Sequence, residues 1–80
     1  MDIEMKEIIA QLKYDVQNIE SKMNAIENTK VKMKQWIGRP IYRGCVESIE
    51  TWENEILEHK EMIDIYYLKL KALSKEWKLK

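Results

Sequence analysis

The stretch Gly38-Arg39-Pro40-Ile41-Tyr42-Arg43-Gly44 holds both glycines and the only proline of an 80-residue chain. A glycine takes up the left-handed backbone that ends a helix, and a proline two positions later cannot resume one. The stretch therefore reads as a turn at about 38–44, and the chain on either side of it reads as helix. On the N-terminal side Met5, Ile9, Leu12, Val16, Ile19, Met23, Ile26, Lys30, Met33 and Ile37 follow at alternating steps of four and three. That is a heptad seam broken once by a lysine, and it predicts a helix over about 3–37. Asp2 is placed to cap its start. On the C-terminal side Cys45, Ile49, Trp52, Ile56, His59, Ile63, Tyr66, Leu70, Leu73 and Trp77 keep the same rhythm, predicting a helix over about 45–78. Pro40 as a first helical residue is the alternative start.

Two heptad seams flanking one turn predict an all-α fold. A single domain over residues 1–80 would form an antiparallel coiled-coil hairpin of two long helices. With the turn at 38–44, facing residues have position numbers that add to 82, so that Ile19 meets Ile63, Met23 meets His59 and Lys30 meets Trp52. Flanking charges fit this register: Asp15 near Lys69, Lys22 near Glu55, Glu27 near Lys60, Lys34 near Glu53, and Asp2, Glu4 and Glu7 near Lys75, Lys78 and Lys80. Because both repeats are heptads, agreement in one layer carries the rest, so the independent support is the shared phase and the similar lengths.

Composition agrees. Charged residues make up 35% and apolar ones 45%, as in long helices, and no window alternates with the period of a strand. Fourteen basic and fourteen acidic residues cancel, so only the distribution of charge can point to a partner. The longest wholly apolar run, Ile65-Tyr66-Tyr67-Leu68, is far short of the ~20 residues that span a bilayer. The acidic start Met1-Asp2-Ile3-Glu4 is unlike a signal peptide, and a lone Cys45 cannot form an internal disulfide. A cytoplasmic protein with no membrane partner is expected.

A two-helix rod buries one stripe of each helix, which leaves a second interface desirable. Helix 2 supplies apolar residues outside its seam, notably Leu57, Met62, Ile65, Leu68 and Ala72. A segment apolar on nearly every side is usually buried on every side. These residues are the expected oligomer face of a homodimer, two hairpins forming a four-helix bundle.

No catalytic, cofactor or metal motif is present. His59 has Ile56, not Glu, three residues before it, so the Glu-x-x-His ligand pair is missing. Cys45 is fourteen residues from His59 on one helix, hence ~21 Å away, too far for a nucleophile–base pair. The acidic stretch from Glu47 to Asp64 reads as a solvated helix face. The turn is the richer surface. No acidic residue occurs from Thr29 to Val46, while Lys30, Lys32, Lys34, Arg39 and Arg43 are cationic and Trp36, Ile41 and Tyr42 are apolar or aromatic. Lys32, Lys34, Trp36, Arg39, Ile41, Tyr42 and Arg43 are the candidate partner-binding tip. The expected function is a non-enzymatic protein-interaction module, an adaptor or inhibitor docking on another protein through this tip or its helical faces. Two alternatives stay open: a scaffolding coiled coil whose function is its own assembly, and a nucleic-acid binder that uses the basic tip.

Overall fold

Two helices account for the fold: α1, Ile3–Met33, and α2, Pro40–Leu79. The computed structural model describes the backbone of residues 3–79 and the side chains of residues 3–75. Asp2, Trp77, Lys78 and Lys80, each given a place above, fall outside the described residues or side chains. The helices pack antiparallel as an all-α hairpin, a rod of 63 × 15 × 13 Å. Its length is that of α2 alone, since 40 residues at ~1.5 Å each span ~60 Å.

The turn sits earlier than the sequence suggests. α1 stops at Met33, not Ile37, and α2 starts at Pro40, not near Cys45. Between them the amides of Gln35 and Trp36 donate to the carbonyls of Lys32 and Met33 (both 3.0 Å), tightening the helix end into i→i+3 turns. Gly38 carries the one positive φ among the described residues, +81°, where a side chain would be strained. The amide of Arg39 then donates to Trp36 (2.9 Å) and that of Tyr42 to Arg39 (3.0 Å), so helical hydrogen bonding resumes across Pro40. Proline suits a first helical position: its φ is already helical and its missing N–H would have had no partner. Ending α1 early also brings half-buried Trp36 against one hollow with Ile41, Cys45 and Trp52.

Moving the centre of the turn moves the register. His59 faces Asp15 rather than Met23, so these facing positions add to 74 rather than 82, a slip of about one heptad. A whole-heptad slip preserves the phase of both seams, which is why the periodicity could not detect it. The α2 seam survives over its described side chains, Cys45 to Leu73. Ile49 and Ile56 are buried, and Cys45, Trp52, His59, Ile63, Tyr66, Leu70 and Leu73 are half-buried.

The α1 seam is half right. Met5, Leu12, Ile19, Ile26 and Met33 do face α2, but the second column of the seam is Ile8, Asp15, Lys22 and Thr29, not Ile9, Val16, Met23 and Lys30. Met23 is 55% exposed and Ile37 74% exposed, and Lys30 lies at the surface on a different hollow from Trp52. The expected Met23–His59 and Lys30–Trp52 layers therefore do not form. Helix α1 is turned by roughly half a residue step so that two charged side chains, each with a partner on α2, enter the interface.

Of the flanking pairs, Lys22–Glu55 forms, at 3.4 Å. Asp15 takes His59 in place of Lys69, whose ammonium lies 5.3 Å from the centre of the Tyr66 ring. Ile26, Met33, Ile49 and Ile56 form the main apolar cluster, with Ile19, Cys45, Val46 and Trp52 packed on it, all in the half of the rod nearer the turn, while Ile8 is buried apart from it toward the free ends.

Candidate functional site

The tip is built by the end of α1, the turn and the first two turns of α2. Its seven candidate residues are divided between two sides. Lys32, Trp36 and Ile41 line a hollow of about 440 Å³ with Trp52 at its floor. Lys34 and Tyr42 line a second hollow of about 310 Å³ on the other side, with Met33, Ile37 and Ile49. Arg39 and Arg43 are exposed and line neither hollow. Arg43 reaches Glu47 at 3.7 Å, an exposed i, i+4 pair worth only ~0.3–0.5 kcal/mol. Lys30, Lys32, Lys34 and Arg39 have no acidic partner among the described residues. Apolar surface is exposed in the same place: Ile37 at 74% and Ile41 at 52%. Ile37 is absent from the tip as read from the sequence, because that reading buries it as the last seam residue.

The expected oligomer face is exposed and only partly contiguous. Ile65, Leu68 (64% exposed) and Ala72 share the side of α2 that points away from α1. Leu57 and Met62 flank that stripe on opposite sides, and Glu58 and Glu61 continue it toward the tip.

The polar centre of the interface escapes the sequence reading. Asp15 is the most buried side chain, 2% exposed. Its Oδ1 accepts from His59 Nδ1 at 2.8 Å, and its Oδ2 accepts from Gln11 Nε2 at 3.4 Å. The Tyr14 ring meets the imidazole edge-on, at 6.4 Å between centroids. Among the described residues no buried side-chain nitrogen or oxygen lacks a partner, so the network is complete. A carboxylate that fixes an imidazole is also a catalytic and metal-site device. Here Cys45 is fourteen residues along the same helix, and no cluster of three potential metal ligands exists among the described residues. The arrangement ties α1 to α2 at one register. The one available signal was the heptad column Ile8, Asp15, Lys22, Thr29, which a search for apolar periodicity passes over.

No described helix is long and apolar enough to cross a membrane. No family model, curated protein or solved structure matches the chain.

Proposed function

We propose that this chain is a non-enzymatic interaction module that docks by its tip on an acidic, partly apolar patch of another protein. The observation that carries the reading is the coincidence of exposed Ile37 and Ile41 with four cations that have no acidic partner in the described chain. Apolar anchors supply affinity when desolvated, and a ring of like charge selects the partner and speeds encounter. A rigid hairpin holds these groups in place at the end of a rod, which lowers the ordering cost of binding. A free Cys45 thiol suits a cytoplasmic setting.

Nucleic acid is the second reading, since arginines beside aromatics contact phosphates and stack on bases. It is weaker because Glu47 takes up Arg43 at 3.7 Å and Glu50 and Glu53 follow along α2, so the positive field ends within the first turns of that helix. Fluorescence anisotropy against a panel of acidic amphipathic peptides and a mixed-sequence single-stranded oligonucleotide separates the two. Peptide binding is expected, with loss in the Ile37→Asp/Ile41→Asp variant. Tighter binding to the oligonucleotide, or peptide binding indifferent to that variant, overturns the proposal.

A further inference from the structure

The turned α1 leaves an apolar column outside the hairpin. Ile9 is half-buried, Val16 43% exposed and Met23 55% exposed, and their seven-residue spacing keeps them in one line. This line is continuous with the hairpin's own core, because Ile9, Leu12 and Val16 border one shallow groove together with Lys13 and Glu20. The next column outward is Lys6, Lys13, Glu20 and Glu27, all exposed. Its two members nearer the start of α1 are basic and its two nearer the tip are acidic. None of the four makes an ion pair among the described residues, and seven residues along a helix is too far for them to pair with each other.

From this order of charges we infer that a second copy of the same chain covers the α1 stripe, with the two rods side by side and their tips pointing in opposite directions. A two-fold axis beside Val16 and Gln17 brings each Val16 to the other, each Ile9 to a Met23, each Lys6 to a Glu27 and each Lys13 to a Glu20. Four intermolecular ion pairs then flank one apolar seam, over a contact of ~32 Å at ~1.5 Å per residue. A parallel pairing would set Lys against Lys and Glu against Glu at every level, which is destabilising. The outer face of α2 is the poorer candidate for a second copy. Its apolar stripe of Ile65, Leu68 and Ala72 lasts about one heptad, and burying more of it would bury Glu58 and Glu61.

The test is sedimentation equilibrium at several salt concentrations, with circular dichroism to confirm that each variant folds. The parent chain is expected to dimerise and Val16→Glu to be monomeric, while Leu68→Glu leaves the dimer unchanged. Lys13→Glu should weaken association about tenfold or more, and adding Glu20→Lys to it should restore the parent affinity, because only the antiparallel pairing sets position 13 against position 20. A parent that is monomeric at high micromolar concentration overturns the inference. So does a dimer lost through Leu68→Glu but not Val16→Glu, or a charge reversal that the second reversal fails to rescue. None of these outcomes bears on the tip, whose peptide binding is read separately.

Discussion

The half of the rod nearer the turn and the half nearer the free ends are held by different chemistry. Near the turn, four buried apolar residues, Ile26, Met33, Ile49 and Ile56, pack with four half-buried ones around them. Farther out, Ile8 is the one buried apolar residue among those described, and the interface is anchored by a buried carboxylate on an imidazole; Lys22–Glu55 lies just inside the apolar half. Apolar packing is strong and tolerant of register, since a heptad of isoleucines and methionines fits the next heptad almost as well. A hydrogen-bonded polar pair adds little net stability yet has a partner at one position only. The first half holds the hairpin together, and the second decides how it lines up.

The largest effect should come from emptying the apolar half. Ile56→Ala removes a buried side chain from the centre of the cluster and should lower unfolding free energy by ~2–5 kcal/mol. Ile63→Ala, one heptad away and half-buried, should cost less, ~1–2 kcal/mol. Urea unfolding followed by circular dichroism measures both. Equal losses would show that the core does not concentrate near the turn.

The polar half should respond differently to single and paired change. Asp15→Ala leaves His59 without its acceptor inside the interface and should cost ~2–3 kcal/mol. Replacing both, Asp15→Leu with His59→Leu, should return stability to within ~1 kcal/mol of the parent. The expected damage is to alignment. In a chain with Cys45→Ala, cysteines placed at 19 and 56 should cross-link, while cysteines at 19 and 63, one heptad along, should not. In the double-leucine background the 19–63 link should begin to form. If it stays closed to oxidation there, apolar packing alone specifies the register.

The same contrast explains what could be read from the sequence. Helix α2 was legible because its seam is apolar at nearly every step, with His59 as the one polar member, half-buried as placed. Helix α1 offers two candidate columns beside Met5, Leu12, Ile19, Ile26 and Met33, and the more hydrophobic one is outside. Asp15 and Lys22 enter the interface because each has a partner on α2, a fact about two helices that the periodicity of one cannot contain. The register was hidden for a related reason: heptads repeat, so the turn alone sets it, and Gly38 fits equally as a helix terminus or as one residue inside a wider turn. Among the tip residues, Trp36, Ile41 and the cations were visible as a local cluster. Their separation into two sides was not, because it depends on where α1 stops.

The smallest expected effect lies at Lys22–Glu55, a charged pair just inside the apolar half. The lysine side chain is 19% exposed and the glutamate 42%, at 3.4 Å, and the ammonium also reaches Asn18 Oδ1 at 3.5 Å. A half-exposed pair gains little in high dielectric and is screened by salt, so a double-mutant cycle should give a coupling of ~0.2–1 kcal/mol that shrinks as salt rises. The aliphatic stem of Lys22 occupies the heptad column of Ile8 and Asp15 and shields the seam whatever the fate of the charge. Lys22→Ala should therefore cost more than Glu55→Ala, and Lys22→Met should leave stability near that of the parent. A salt-independent coupling of ~2 kcal/mol or more would mean that charged groups also hold this part of the hairpin together. The division between a half that binds by apolar packing and a half that aligns by polar pairing would then fail within the apolar half itself.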